Sequence, residues 1–145
     1  ATVTGLLSPT GGSLSHTLPR PTFLIAPDIP LLEDTLEQNI SVGRSIPSIS
    51  TLLEALDLLE VAQRIARGGS VATLSDGERI RVLVARAVVL PGSCIVIDDV
   101  SHILPATQRQ VVAQLLERAA PWLIVEAGHG PWLTTPTTIV ELSRA

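Results

Sequence analysis

The sequence predicts an α/β fold in which helices pack a parallel β-sheet. The prediction rests on residues 73–100, TLSDGERIRVLVARAVVLPGSCIVIDDV, where a capped helix, a Pro-Gly break and an apolar run follow one another. Residues 94–97 of that run show no polar and apolar alternation, so both faces of the strand should be covered, as in parallel sheets. Asp98 and Asp99 follow at the carboxyl end of the strand, where open α/β sheets place their ligands.

The helix in this stretch has a start signal and an apolar face. Ser75 stands at the N-cap position, and Glu78 follows three residues later, as in a capping box. Pro91-Gly92 ends the helical pattern. Apolar residues recur at helical spacing and predict one buried face, formed by Ile80, Leu83, Val84, Ala87 and Val88.

Two further helices are predicted, one on each side of this stretch. Residues 41–50 form a polar, Pro-containing linker, and Ser50 then caps a helix over residues 51–67 that ends at Gly68. Pro105 suits the first turn of the other helix. The predicted inward stripes are Leu52, Leu53, Leu56, Leu59, Ala62 and Ile65 in the first helix and Val111, Val112, Leu115, Leu116 and Ala119 in the second.

Short apolar runs predict the remaining strands. Residues 22–26, 122–125 and 137–142 each form such a run between turn signals. Residues 1–7 have the pattern of a helix end. Gly11-Gly12, like Gly68-Gly69, is more simply explained as turn or helix-end chemistry than as a phosphate-binding loop.

The bulk composition excludes several classes of protein. Hydrophobic residues make up 46% of the 145 residues, which excludes a disordered tail, and no apolar run is long enough to cross a bilayer. The net charge of −4 gives no reason to expect a nucleic-acid partner. The single cysteine, Cys94, lies in the buried strand and is expected to be a core residue. All ten basic residues are arginine, so the chain has no lysine.

Three motifs in order resemble those of ATP-binding cassette (ABC) ATPases. The family pattern is Leu-Ser-Gly-Gly-Gln, a helix with Ala-Arg-Ala-Leu, and a Walker B strand of four apolar residues followed by Asp-Glu. The counterparts here are Leu74-Ser75-Asp76-Gly77-Glu78, which we call the signature-like segment, then residues 85–88, and finally 95–97 with Asp98-Asp99. The resemblance implies a P-loop NTPase-like sheet with an inserted helical signature subdomain.

The resemblance also implies roles for individual residues. Leu74, Ser75, Asp76, Gly77 and Glu78 would face the ATP held by a partner domain. Asp98 would be the carboxylate linked to Mg²⁺, and Asp99 stands where the family has its catalytic Glu. His129 would be the histidine that senses the γ-phosphate, displaced by one or two residues. The alternatives are two solvated carboxylates at a strand end and an ordinary loop histidine.

The resemblance places the phosphate loop outside this chain. Residues 5–14 are similar to the passage that follows the phosphate-loop helix in the family, so the N-terminal strands and the Walker A motif would lie upstream of Ala1. A Walker A motif needs a lysine, and the chain has none. We therefore expect this chain alone to be inactive or very weak as an ATPase. Residues 1–40 and 91–145 would form the core sheet part, and residues 41–90 the helical subdomain.

Several positions depart from the family pattern. Residues 35–40 match a segment of exporter-type cassettes, but Pro27 occupies the position of the glutamine that touches Mg²⁺ and the attacking water. Asp76 would repel a polyanion. Asp99 is one methylene shorter than Glu, and Leu104 replaces an aspartate that communicates across the dimer. Together these changes predict a degenerate site with impaired hydrolysis.

The leading hypothesis is the nucleotide-binding domain of an exporter-like ABC transporter, which couples ATP binding and hydrolysis to transmembrane export. Its partners would be a second nucleotide-binding domain and a transmembrane domain, which would hold it at the cytoplasmic face of the membrane. A second hypothesis is a non-catalytic pseudo-ATPase subunit with a structural or regulatory role. A third is an ABC ATPase outside transport, such as a repair or translation factor.

Overall fold

Three parallel strands form the sheet in the described part of this protein. The computed structural model describes residues 21–32, 35–90, 93–98, 100, 102–119 and 123–127. Strands β1 (Thr22–Ile25), β2 (Cys94–Asp98) and β3 (Leu123–Ala127) are ordered β1-β2-β3, with β2 in the middle. The predicted parallel α/β arrangement is confirmed within the described residues.

Five α-helices and one short 3₁₀ turn accompany these strands in the described part of the chain. Their bounds are α1 Leu36–Ser41, α2 Ile49–Ala55, α3 Leu59–Ala66, the 3₁₀ turn Val71–Thr73, α4 Asp76–Val88 and α5 Ala106–Arg118.

Strand β2 is buried because it has a neighbour on each side and helices pack the sheet. Residues 94–97 are each at most 6% exposed, which agrees with the absence of polar alternation in the sequence. Cys94 pairs with Thr22 on one side and with Leu123 on the other. At the opposite end, Asp98 pairs with Ala127 and is half-buried.

Helix α4 lies at the centre of the described packing, in contact with α1, α5 and β1. The sequence predicts one apolar face, but burial extends around most of the helix and includes Arg81, Val82 and Ala85. The single-face prediction is wrong because three elements, and not one, pack against α4. Val88, predicted to be buried, is half-buried near the end of the helix.

The predicted helix over residues 51–67 is in fact two helices, α2 and α3. The chain breaks at Leu56–Leu58, where Asp57 has a left-handed backbone with φ of 54°. Ser50 lies inside α2, and Ser48 occupies the N-cap without a side-chain capping bond. Gly68 follows α3 with φ of 98°, as predicted for its C-terminal end.

Two other predictions need correction. Part of the predicted linker over residues 41–50 is helical, because α1 ends at Ser41 and α2 begins at Ile49. Leu59 and Val111, predicted to face inward, are 39% and 38% exposed, since each lies on the outer side of its helix.

The other predicted strands and helices are found or lie outside the described residues. Strand β1 is confirmed, and α5 begins directly after Pro105, within one residue of the prediction. Strand β3 ends two residues later than the predicted strand over residues 122–125. The predictions for residues 1–20 and for the strand over 137–142 fall outside the described part of the chain.

Candidate functional site at the N-terminus of helix α4

The signature-like segment leads into the first turn of α4. Ser75 is the N-cap, and its Oγ accepts a hydrogen bond from the backbone N–H of Glu78 at 3.3 Å. In return the backbone N–H of Ser75 donates to Oε2 of Glu78 at 2.9 Å. The predicted capping box is therefore confirmed, and both side chains are engaged in holding the helix start.

Glu78 is also paired with an arginine from the preceding helix. Nη2 of Arg64 on α3 lies 3.2 Å and 3.1 Å from the two carboxylate oxygens of Glu78. Burial alone would raise the pKa of Glu78, but the hydrogen bonds from Ser75 and Arg64 together outweigh it and hold that pKa below its ordinary value. Glu78 is thus a charged structural link between α3 and α4.

The other three residues of the signature-like segment have different surroundings. Leu74 is 6% exposed and belongs to the hydrophobic core, so its side chain is turned away from solvent. Asp76 is exposed on the first turn of α4. A Cβ atom placed on Gly77 would lie 3.7 Å from Cδ2 of Leu104, so the segment after β2 approaches this turn closely.

Leu104 is the residue predicted to replace the aspartate that communicates across the dimer in the family pattern. It is 4% exposed and packs in the core beside the start of α4. Burial against Gly77 accounts for an apolar side chain here, because an aspartate in the same place would need a polar partner. The structure therefore brings Leu104 and the signature-like segment together.

The carboxyl edge of the sheet carries the second predicted group of residues. Asp98 lies at the end of β2, in register with Ala127 of β3. Glu126 lies next to Ile97 in the same register. Asp99 and His129, the two predicted catalytic residues, lie outside the described residues. The structure therefore positions the predicted Mg²⁺ carboxylate and leaves the roles of the other two as predictions.

The loop after β1 passes this edge. It begins with a turn in which the N–H of Ile29 donates to the carbonyl of Ala26 at 3.3 Å. Pro27 is half-buried in this turn, and Asp28 next to it is exposed. Pro27 has no side-chain donor or acceptor, so in the position of the family's glutamine it cannot orient a water molecule.

This part of the chain has a side chain suited to binding Mg²⁺, but it lacks the lysine that a phosphate-binding loop requires. Mg²⁺ is commonly held by one or two carboxylates together with substrate phosphates, and Asp98 suits that role. Among the described residues there is no group of three or more His, Cys, Asp or Glu side chains that could hold a metal by itself. A phosphate cradle with its lysine does not fit, because the chain contains no lysine.

Three polar residues in this region have structural roles that the sequence did not predict, although Asn39 and Arg86 lie in segments that match the family pattern. Arg81, on α4, is 8% exposed and donates to Gly77 and to the turn between α2 and α3. Arg86, also on α4, donates to Asn39 of α1. The sequence signal was available for Arg81, because it precedes Val84 and Val88 by three and seven residues, which is the spacing of one helix face.

Comparison with known proteins finds relatives in sequence and in fold. No protein-family model matches the chain. An ATP-dependent lipid A-core flippase of Burkholderia orbicola is 26% identical over 112 residues, which cover 71% of this chain. The flippase of Neisseria meningitidis serogroup A is 30% identical over 106 residues, or 66% of this chain.

Solved structures share the fold. A bacterial Atm1-family ABC exporter with ATP bound superposes with a TM-score of 0.58 at 23% identity, covering 74% of this chain and 21% of the exporter. An RNase-L inhibitor superposes with a TM-score of 0.63, also at 23% identity, covering 86% of this chain and 25% of the inhibitor. The chain is related to the ATPase domains of ABC exporters.

This ABC-related chain corresponds to a small part of those proteins. It spans 19% of the length of the Burkholderia flippase and 17% of the Neisseria one. None of the helices in the described residues is long and apolar enough to cross a membrane. Its parallel sheet and its helices are those of an ABC ATPase domain.

Proposed function

We propose that this chain belongs to the nucleotide-binding domain of an exporter-type ABC transporter. The observation that carries the proposal is the capped helix α4 followed by the buried parallel strand β2 that ends in Asp98. The named relatives are ATP-dependent flippases, and the matched region covers most of the chain. In this role the domain couples ATP binding and hydrolysis to export.

The proposed partners are a second nucleotide-binding domain and a transmembrane domain. The signature-like segment faces ATP held by the second domain, and the transmembrane domain keeps the chain at the cytoplasmic face of the membrane. Residues 41–90 act as the helical subdomain, and residues 1–40 with 91–145 as the sheet part. The cargo is recognised by the transmembrane partner.

Catalysis at the site formed by this chain is proposed to be impaired. Three features support that proposal. The exposed carboxylate of Asp76 stands on the first turn of α4, where a γ-phosphate would have to approach, and like charges repel. Glu78 is already engaged by Ser75 and Arg64. Asp99 in the place of a Glu would put its carboxylate about one methylene short, and catalysis is sensitive to such displacement.

The same features favour a second candidate, a non-catalytic partner subunit. In that case the chain pairs with an active cassette and has a structural or regulatory role. The observation behind it is the commitment of both Ser75 and Glu78 to the capping box. The two candidates agree on dimerisation and differ in whether this chain turns over ATP.

Calorimetry with Mg·ATP tests whether this chain binds nucleotide by itself, which catalysis would require. The full 145-residue chain and its Asp98→Asn variant would be titrated side by side. We expect no saturable heat at millimolar ATP, because no lysine-bearing phosphate loop is present. Saturable binding that is lost in Asp98→Asn would contradict the expectation that this chain alone does not bind ATP, and it would show that the carboxyl end of β2 holds the nucleotide.

Association with a second cassette tests the transporter part. The chain would be mixed with the isolated nucleotide-binding domain of a lipid A-core flippase, made unable to hydrolyse ATP, in sedimentation experiments with and without ATP. We expect ATP-dependent association that strengthens in Asp76→Gly, because a repelling charge is removed. The exposed Glu60, on α3, supplies the matched control, Glu60→Gln, which should leave association unchanged. Absence of association in the chain and in Asp76→Gly would contradict the proposal.

A further inference from the structure

A buried asparagine joins three parts of the fold. Asn39 on α1 is fully buried. Its Oδ1 accepts from the backbone N–H of Leu32 at 2.8 Å, and its Nδ2 donates to the carbonyl oxygens of Leu32 and Thr35, both at 3.0 Å. One side chain therefore satisfies both backbone groups of Leu32 and one at the start of α1.

Helix α4 holds this asparagine from the other side. Nη2 of Arg86 donates to Oδ1 of Asn39 at 3.1 Å, and Nε donates to the backbone carbonyl of the same residue at 2.8 Å. Burial lowers the pKa of Arg86, although a guanidinium remains charged at neutral pH. Among the described residues, both acceptors of this guanidinium belong to Asn39.

The loop after β1 depends on these contacts at its far end. The side chain of Leu32 is not buried, since the residue is 57% exposed. The side chain of Leu32 therefore contributes little to its position. Ile29 and Leu31, earlier in the loop, pack against the core, and the hydrogen bonds to Asn39 hold the backbone at Leu32. Residues 26–32 run from the end of β1 to this anchor, so the anchor limits where the loop can lie.

We propose that Arg86 and Asn39 are positioning residues that hold the loop after β1 in a fixed place relative to helix α4. The link runs from the α4 backbone through the Arg86 guanidinium and the Asn39 amide to the backbone of Leu32. Provided that the proposed function holds, the link ties a loop beside the nucleotide to the helix that begins with the signature-like segment. Movement of the loop or of the helix then breaks hydrogen bonds that connect the two.

The chemistry of the two side chains is specific to this role. Arginine presents Nε and Nη2 in one rigid plane, so it can engage two oxygens of the same residue at once, which lysine cannot. Asparagine supplies an acceptor and two donors, and Asn39 uses all three here. Substitution of either residue should release Leu32 without removing apolar contacts from the core.

Amide hydrogen exchange, followed by NMR on the full chain, tests the link without nucleotide or partner. The readout is the protection of the Leu32 amide relative to that of Leu83, which reports opening of α4 itself. In Arg86→Gln we expect this ratio to fall about tenfold, because a hydrogen bond to a charged group is lost and the asparagine is no longer held. Arg86→Lys keeps the charge and should give an intermediate loss.

The matched control is Arg81→Gln, which removes another buried arginine from the same helix. Arg81 donates to the turn between α2 and α3, and not to Asn39. Its substitution should lower stability without lowering the ratio of Leu32 to Leu83 protection. An equal fall in both variants, or no fall in Arg86→Gln, would overturn the proposal. If Arg86→Gln does not fold, an unchanged ratio in Arg86→Lys overturns it equally.

This experiment separates the link from the proposed function. A failure of ATP-dependent association would contradict the transporter role and leave the exchange result standing. Unchanged exchange in the arginine variants would remove the link and leave the transporter role untouched.

Discussion

Arg81 of α4 lies against Asp57, the residue at which the chain turns from α2 into α3. Nη1 of Arg81 is 3.1 Å from Oδ2 of Asp57 and also donates to the carbonyl oxygens of Leu56 and Asp57, at 2.8 Å and 2.9 Å. Asp57 has a left-handed backbone, with φ of 54°. One buried cation therefore satisfies the carbonyls that a tight turn leaves without helical partners.

Arg81→Gln should destabilise the chain by about 2 kcal/mol, because hydrogen bonds from a charged donor are lost and a buried carbonyl loses its partner. The ion pair itself contributes little of this, since the Asp57 side chain is 84% exposed. Urea unfolding followed by circular dichroism measures the change. Arg79→Gln, on the same helix, is the control, because Arg79 makes no side-chain hydrogen bond to another described residue. Equal losses of stability in Arg81→Gln and Arg79→Gln would contradict the role of Arg81 in stabilising the turn.

The Arg64–Glu78 contact predicts a stability that depends on pH. The pKa of Glu78 is below its ordinary value of 4.5 in the folded chain, so its contribution is present above that pH and is lost as pH falls through the folded pKa. Glu78→Gln can keep the capping box but not the ion pair. At pH 7 we expect it to be less stable by about 0.5 kcal/mol. The difference should shrink as the pH falls below 4.5, as measured by thermal unfolding across pH.

The control for this pH dependence is Glu54→Gln. Glu54 is exposed on α2, and its substitution removes a carboxylate without touching the Arg64–Glu78 pair. If the difference in stability between the chain and its Glu78→Gln variant stays constant from pH 7 to pH 3, the ion pair does not contribute to folding.

Val42 is a position where substitution should stabilise the protein. It ends α1 with φ of 49°, a left-handed conformation that a β-branched residue adopts at a cost of about 1–2 kcal/mol. Its side chain is 52% exposed, so little packing would be lost. Val42→Asn should raise the free energy of unfolding by about 1 kcal/mol, since asparagine tolerates this conformation. Gly43→Ala, at φ of 78°, should lower it.

Substitution by alanine should have opposite effects on stability at two glycines. A Cβ on Gly77 would meet Leu104 at 3.7 Å, an ordinary contact, so Gly77→Ala should stabilise α4 by about 0.5–1 kcal/mol through helix propensity. A Cβ on Gly69 would lie 2.8 Å from the carbonyl oxygen of Arg64, and backbone must move to admit it. Gly69→Ala should therefore destabilise. Midpoints of urea unfolding that move in the same direction would contradict this pair.

Cys94 should report global unfolding. It is fully buried in β2, and burial raises the pKa of its thiol, so the reactive thiolate is disfavoured in the folded state. We expect a thiol reagent to label the native chain slowly and the urea-unfolded chain at once. Since Cys94 is the single cysteine, the labelling rate follows one site. Fast labelling without denaturant would show that β2 opens locally.

The sequence was sufficient for features set by neighbouring residues. The capping box of Ser75 and Glu78 needs only two side chains three positions apart at a helix start, and it forms as predicted. The buried strand over residues 94–97 follows from an unbroken apolar run. The signature-like segment and Asp98 were likewise located by motif order, although the sequence left their surroundings open.

The features that the sequence left open depend on distant partners. The break at Asp57 is invisible in an apolar pattern that runs through it, because Arg81, 24 positions later, supplies the hydrogen bonds that stabilise the turn. The burial of Leu104 depends on the approach of α4 to the segment after β2.

For this protein, then, the sequence alone determined the parallel α/β class, the capped start of α4 and the buried strand β2. The tertiary structure decided which polar side chains are structural. The sequence does not distinguish the roles of three arginines. Arg64 pairs with a carboxylate, Arg81 donates hydrogen bonds to the turn between α2 and α3, and Arg86 donates to Asn39 of α1. The physical reason is that a guanidinium acts through geometry, and that geometry exists only after distant segments have packed together.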